Sequence, residues 1–266
     1  VTLSCCLNKR TIFIPAIAGA GYQIRDGAMP LPGDPLMRDA IRSIKQLDIT
    51  ATRLMRLAAE FYAINESRGE SEIVAYHPDT QGVFDIAHLL DGEEIFFQLK
   101  DEPAWVRELM ELCLDLYIRV SRELKTTMRQ ADGEMIHGHG TPQGVYFPNA
   151  GVRISEDTPT LLSPKMLDAL VMPYIERAAE PFGGCFVHYC GRHNAFFEQL
   201  CRSRWVRAID LGNSEMYDLR WLLEKCAAGN AVLYSRIAAQ PGEDWQTYIR
   251  RIAGAVKETG ARVVLR

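Results

Sequence analysis

The segment FVHYCGRH, at positions 186–193, carries a histidine and a cysteine two residues apart within an apolar run. Successive side chains of a β-strand point to opposite faces, so a strand here would place His188 and Cys190 on the same face. Imidazole nitrogen and thiolate sulfur are two of the ligands that zinc prefers in proteins. We therefore interpret His188 and Cys190 as candidate metal ligands, with an ordinary buried strand as the alternative.

The elements that would position this pair follow an alternating pattern of short apolar runs and stretches of helical period. Helices are predicted over residues 101–130, from Ser163 onward, and around Trp245 up to Gly260. Such alternation predicts parallel strands with helical crossovers, and the number of runs favours a closed (β/α)8 TIM barrel over an open doubly wound sheet. The eight candidate strands are residues 11–16, 72–78, 133–139, 151–155, 185–191, 206–212, 231–237 and 261–266.

Composition restricts the class of protein. The 266 residues are 47% hydrophobic and 24% charged, which fits one domain over residues 1–266, and because the chain begins at Val1 we expect further residues beyond one or both ends. The net charge of -4, with basic and acidic residues interspersed, argues against nucleic acid as a partner. No apolar run reaches the roughly 20 residues of a membrane span. The seven irregularly spaced cysteines indicate reduced thiols and a cytoplasmic location.

Polar residues follow most of the predicted strands, at the ends where a barrel places its catalytic groups. Asp157 and Glu215 are the candidate catalytic carboxylates, because a carboxylate at such a strand end can act as an acid or base. A structural role, as a salt bridge or a hydrogen-bonded buried group, is the alternative for every one of these residues. The candidate substrate-binding residues are His77, Asp79, His137, His139, Asp210 and Arg236.

Three stretches of the sequence resemble the uroporphyrinogen decarboxylase superfamily. They are TQGVFDIAHLLDGEEIFFQLKDEPAWVRELM, LLSPKMLDALVMPYIERAAEPFGGCFVHYCGRH and VRAIDLGNSEMYDLRWL, and the similarity covers most of the chain from about residue 70 onward. The resemblance implies a (β/α)8 barrel, in agreement with the strand pattern. It also implies one of two chemistries: decarboxylation of a porphyrinogen without a cofactor, or zinc-dependent methyl transfer between a corrinoid protein and a thiol such as coenzyme M.

The two branches of this superfamily differ in their motifs. The decarboxylases carry an arginine-rich stretch similar to RQAGRY near the amino terminus, whereas this chain has IRDGAMPLPGDP, which offers Arg25 and Asp26 without the motif. The methyltransferase branch carries His-x-Cys at the end of a barrel strand as two of three zinc ligands, and residues 188–191 are similar to that motif. The third ligand in that branch is a cysteine after the last strand, whereas this chain stops at Arg266, within its last predicted strand.

The resemblance therefore favours a methyltransferase that uses zinc and acts with a corrinoid carrier protein or a small-molecule substrate. The candidate substitutes for the third metal ligand are Glu215, His137 and His139. Separately, we expect Asp157 or Asp210 to accept a hydrogen bond from His188 and so fix the tautomer of its imidazole. A porphyrinogen decarboxylase, and a protein that binds a tetrapyrrole or small acid without catalysis, are the alternatives. The sequence does not decide the oligomeric state, for which a homodimer is one alternative.

Overall fold

The computed structural model describes residues 3–5, 12–24, 30–67, 73–76, 78–138 and 144–266. It has a mixed α/β architecture. The strands are β1 (Leu3–Cys5), β2 (Tyr22–Gln23), β3 (Leu31–Pro32), β4 (Ile73–Ala75), β5 (Met135–His137), β6 (Val145–Phe147), β7 (Val152–Ser155), β8 (Cys185–Tyr189), β9 (Val206–Leu211), β10 (Val232–Ser235) and β11 (Arg262–Leu265). The α-helices are α1 (Phe13–Ile17), α2 (Arg38–Ser43), α3 (Arg53–Ser67), α4 (Val83–Asp91), α5 (Ile95–Asp101), α6 (Pro103–Met128), α7 (Pro164–Met166), α8 (Met172–Ala179), α9 (Asn194–Arg202), α10 (Leu219–Gly229) and α11 (Trp245–Thr259).

The last five strands form one parallel sheet in the order β11-β10-β9-β8-β7. A bridge between Gln81 and Ser155 continues the parallel pairing beyond β7. The remaining strands form three separate pairs: β1 with β4 in parallel, and β2 with β3 and β5 with β6 antiparallel. The predicted parallel pairing is thus confirmed for the carboxyl-terminal half of the chain, while the third predicted run forms part of an antiparallel hairpin instead.

The first predicted strand, residues 11–16, is wrong, because Phe13–Ile17 is a helix. Phe13, Ile14 and Ile17 are all buried, and residues at this spacing lie on one face of a helix. A short apolar run rich in isoleucine cannot be assigned to strand or helix from periodicity alone. The choice between helix and strand at these residues is therefore made by their packing in the core of the folded protein.

The longer helices begin and end as their sequences predict. Proline stands at the first position of α6, where its missing N–H costs no helical hydrogen bond. Leu109, Leu116 and Val120 of this helix are fully buried, as their spacing predicted. Asp244 caps α11 by accepting the N–H of Thr247. At the other end of α11, Gly260 adopts a φ of 70°, the left-handed conformation that favours glycine.

The two faces of the sheet have different neighbours. Cys185, Val187 and Tyr189 point toward the helices and belong to the main hydrophobic core. Phe186 lies on the opposite face, where the β5–β6 hairpin covers it. That smaller cluster consists of Met135, Phe147, Ala150, Phe186, Ala208 and Tyr234.

The face covered by the hairpin becomes polar toward the carboxyl ends of the strands, where His188 follows Phe186 on the same side of β8. Ser155, His188 and Asp210 are successive register partners across β7, β8 and β9. Side chains paired in register point to the same face, so the sheet itself brings these three together. Within the described ranges no helix is both long enough and apolar enough to cross a membrane.

Candidate functional site

His188 lies at the penultimate position of β8, with its side chain 13% exposed. Its Nδ1 lies 2.7 Å from Oδ2 of the fully buried Asp210. Burial alone would lower the pKa of the imidazole, but the hydrogen bonds with Asp210 and Cys190 outweigh it and raise the pKa to about 9. The Asp210 contact holds the proton on Nδ1 and leaves Nε2 directed elsewhere.

Asp210 is surrounded by cations as well as by the histidine. Arg266 Nη2 lies 3.4 Å from its Oδ1, and Arg153 Nη2 lies 4.0 Å from its Oδ2. Burial alone would raise the pKa of this carboxyl, but the His188 hydrogen bond and the charges of His188, Arg153 and Arg266 outweigh it and lower the pKa to about 2. The Asp210 carboxyl is therefore ionised at neutral pH.

Cys190 is the first residue after β8, and its side chain lies next to the His188 imidazole. Its Sγ lies 3.5 Å from His188 Nε2. Its backbone N–H donates to Oδ1 of Asp157 at 2.5 Å. Asp157, His188 and Cys190 each present one ligand atom, and these three atoms all lie within 4.8 Å of one another.

The donor types of these three residues suit a zinc ion, and the spacing between the His188 nitrogen and the Cys190 sulfur fits one. In a tetrahedral site with Zn–N and Zn–S bonds of about 2.0 and 2.3 Å, the nitrogen and sulfur ligands lie about 3.5 Å apart. The observed Sγ–Nε2 separation is 3.5 Å. A nitrogen, a sulfur and a carboxylate oxygen leave the fourth position of a tetrahedral ion for another ligand, as catalytic zinc sites do.

A buried ionic network lies beside this site on the same face of the sheet. Arg153 forms an ion pair with Asp79 and a hydrogen bond with the Ser155 hydroxyl, which in turn donates to Asp79 at 2.9 Å. The Arg153 and Asp79 side chains are 1% and 8% exposed. Asp79 is therefore held in the protein interior by its ion pair with Arg153, a residue that the sequence analysis did not identify as a candidate.

Asp85 and Glu156 are two further buried carboxylates close to Asp157 that sequence reasoning missed. Burial, followed by the charge of Asp157, raises the pKa of Asp85 to about 6. Burial, followed by the charge of Asp85, raises the pKa of Glu156 well above its usual range. The signal that could have drawn attention to Glu156 is the acidic pair Glu156-Asp157 directly after a buried strand, whereas no comparable sequence signal marks Asp85.

The structure does not bring every predicted site residue into this cluster. Glu215 is exposed and accepts a hydrogen bond from Asn213 at 2.9 Å, which lowers the pKa of the Glu215 carboxyl. It lines a separate cavity of about 340 Å³ together with Tyr217 and Arg251. Arg236 is exposed as well. The cavity that Glu215 lines is formed without Asp157, His188 or Arg236.

The predicted histidines have different surroundings. His137 is buried at the end of β5, stacked on Phe186 with ring centroids 4.3 Å apart and edge-on to Tyr234 at 5.0 Å. His77 and His139 lie outside the described residues, as do Arg25 and Asp26. His193 caps α9: its Nδ1 accepts the N–H of Phe196 at 3.0 Å.

Comparisons with known proteins bear on the fold. No family model and no curated protein matches the sequence. Among solved structures, the chain is similar to a methyltransferase from Methanosarcina mazei, with a TM-score of 0.67 and 13% sequence identity over 98% of this chain and 73% of that one. At this level of identity the similarity shows a shared fold.

Proposed function

We propose that this protein is a methyltransferase of the uroporphyrinogen decarboxylase superfamily that moves a methyl group between a corrinoid carrier protein and a thiol, with zinc as its cofactor. The observation that carries the proposal is the convergence of Asp157, His188 and Cys190, whose ligand atoms lie within 4.8 Å of one another. The fold shared with a solved methyltransferase supports it.

Each residue of the site has a definite task under this proposal. Zinc bound here would hold the acceptor thiol as a thiolate, the form that attacks a methyl group on a corrinoid. His188 and Cys190 would hold the ion through Nε2 and Sγ, and Asp157 would provide the third ligand atom. Asp210 holds the Nδ1 proton of His188, because the carboxylate accepts that hydrogen bond at 2.7 Å.

The same proposal extends to the architecture. We infer that the parallel sheet belongs to a single (β/α)8 barrel, to which β1, β4 and the segment around Gln81 contribute the strands before β7. The polar side chains on β7, β8 and β9 then lie at the carboxyl ends of barrel strands, where barrel enzymes place their active sites.

The first test is the metal content of the protein purified without added zinc. We expect one zinc per chain in the wild type and less than a tenth of that in His188→Ala and Cys190→Ser. Asp168→Asn is the matched control, because Asp168 is an exposed carboxylate on the segment between α7 and α8 and should leave the metal content unchanged. A wild type without stoichiometric metal would refute the proposal.

The second test is activity. We expect the wild type to demethylate methylcobalamin in the presence of a thiol, followed by the change in visible absorption of the corrinoid, and His188→Ala to lose this activity. A wild type that converts a porphyrinogen to a product with fewer carboxyl groups, while leaving methylcobalamin unchanged, would establish the decarboxylase alternative. A wild type that binds a tetrapyrrole and catalyses neither reaction would establish the binding protein.

A further inference from the structure

Two chain segments cap each other beside the proposed metal site. The Glu156 carboxylate accepts the backbone N–H groups of Phe84 and Asp85, both at 3.1 Å, at the start of α4. The Asp85 carboxylate in turn accepts the N–H groups of Asp157 at 3.0 Å and Thr158 at 2.9 Å. We call this arrangement the reciprocal cap, formed by residues 82–85 and 156–158.

The reciprocal cap is buried and tightly packed. Asp85 and Glu156 are 7% and 1% exposed. A Cβ atom at Gly82 would overlap the Glu156 carboxylate, so this position has room for glycine alone. Burying two carboxylates side by side costs free energy, which the four backbone hydrogen bonds offset in part. An apolar contact would hold the two segments together at lower cost, so the arrangement calls for a role in addition to packing.

The reciprocal cap is connected to the segments that carry the metal ligands. Asp85 holds the backbone of Asp157, whose own carboxylate accepts the N–H of Cys190 at 2.5 Å. The N–H of Glu156 donates to the carbonyl oxygen of His188 at 2.9 Å. The position of the Asp157 carboxylate relative to His188 and Cys190 thus depends on where residues 156–158 are held.

We propose that Asp85 is a positioning residue that keeps the Asp157 carboxylate in place as the third zinc ligand. This inference rests on the proposed function, since it assigns Asp85 a part in the same metal site. Asp85 acts through the Asp157 and Thr158 N–H groups that it binds. Loss of a residue that orients a metal ligand reduces metal affinity about 10- to 100-fold.

A double-mutant cycle on zinc affinity tests the inference. We expect Asp85→Asn to weaken zinc binding about 10- to 100-fold, because the amide offers only one oxygen and sets an NH₂ group against a backbone N–H. In an Asp157→Ala background the same substitution should have no further effect, since the ligand that it positions is gone. Asp244→Ala, which removes the cap of α11 far along the chain, is the control for loss of a capping carboxylate and should leave zinc affinity unchanged.

The outcomes separate this inference from the proposed function. A wild type that binds no zinc refutes the function. A wild type that binds zinc, with unchanged affinity in Asp85→Asn, overturns the inference and leaves the function standing. Equal weakening in both backgrounds also overturns it, because Asp85 would then not act through Asp157.

A second variant covers the case in which Asp85→Asn does not fold. Asp85→Glu keeps a buried carboxylate and moves its oxygens by one methylene, so we expect weaker zinc binding and a shifted visible absorption of the Co²⁺-substituted protein. The Co²⁺ spectrum reports coordination geometry, which a role in stability alone would leave unchanged. Wild-type zinc affinity together with a wild-type spectrum in Asp85→Glu would contradict the inference.

Discussion

His188 and Asp210 are register partners on adjacent parallel strands, and their side chains meet at 2.7 Å between Nδ1 and Oδ2. The contact is a direct consequence of strand pairing, because residues opposite each other in a parallel sheet point to the same face. It fixes the imidazole on one side and leaves Nε2 facing the Cys190 sulfur at 3.5 Å. The backbone of the sheet thereby orients His188, one of the proposed metal ligands, without any metal.

The first prediction concerns this contact. Asp210→Asn should reduce zinc affinity about 10- to 100-fold, since the histidine loses the negative charge that makes its other nitrogen a better ligand. Competition with a chromophoric chelator measures the affinity. Asp168→Asn, an exposed substitution of the same kind, should bind zinc as the wild type does. A change of less than twofold in Asp210→Asn would contradict the prediction.

The second prediction is a pH dependence of stability in the metal-free protein. The folded-state pKa of His188 is raised to about 9 from an ordinary 6.5, so its contribution is fully present below pH 6.5 and is lost as the pH rises through 9. Asp210, with its pKa lowered to about 2 from 3.8, contributes above pH 3.8 and loses that contribution as the pH falls through 2. By linkage the loss on the alkaline side amounts to at most about 3 kcal/mol.

Urea unfolding with a chelator present, at pH 6 and at pH 9, measures this dependence. The wild type should lose more unfolding free energy between the two pH values than His188→Ala, in which the titrating group is absent. The comparison between the two proteins removes the contribution of every other group that titrates in this range. Equal losses in the two proteins would mean that the ion pair makes no net contribution.

The third prediction concerns thiol reactivity. Cys190 is exposed, whereas Cys113, Cys185, Cys201 and Cys226 are buried. Among these five, iodoacetamide should modify Cys190 first, and bound zinc should protect it. Mass spectrometry of the digested protein identifies the modified residue, with Cys190→Ser as the control. Faster modification of Cys185 than of Cys190 would contradict the described orientation of β8.

The sequence predicted the parts of the site that depend on local geometry. The two-residue period of a strand predicted that His188 and Cys190 share a face, and their side chains do meet, with Cys190 one residue beyond β8. Asp157 and Asp210 were the two candidate partners of the histidine, and Asp210 is the one that contacts Nδ1. The same period failed for residues 11–16, because a five-residue apolar run satisfies a helix face as well as a strand. The long helices were predicted correctly, because their apolar spacing repeats over several turns and a strand cannot satisfy it.

The parts that were missed depend on contacts between distant positions. The reciprocal cap joins residues that are 71 to 73 positions apart in the chain, and no local period encodes that meeting. Glu215 follows a strand, as Asp157 does, yet it lies on the short helical turn Ser214–Met216 and is exposed. Which strand-end residues converge is decided by the loops, whose course a single sequence does not reveal.

The fourth prediction tests the aromatic cluster under the hairpin. Phe186 is fully buried against Phe147, His137 and Tyr234, so Phe186→Ala should cost about 3–5 kcal/mol of unfolding free energy through lost burial and a residual cavity. Phe97→Ala is the control, because Phe97 is 67% exposed and its truncation should cost far less. Equal costs in urea unfolding would mean that the hairpin does not cover this face in solution.

The fifth prediction concerns the space available to the reciprocal cap. Gly82→Ala should destabilise the protein by about 1–3 kcal/mol, because its methyl group would overlap the Glu156 carboxylate and force it off the N–H groups of Phe84 and Asp85. Gly254→Ala in α11 is the matched control: its Cβ meets no atom within 4 Å, and alanine favours a helix by up to about 1 kcal/mol over glycine. Thermal unfolding of both variants should therefore shift in opposite directions, and a Gly82→Ala protein as stable as the wild type would show that residues 82–85 and 156–158 do not pack as described.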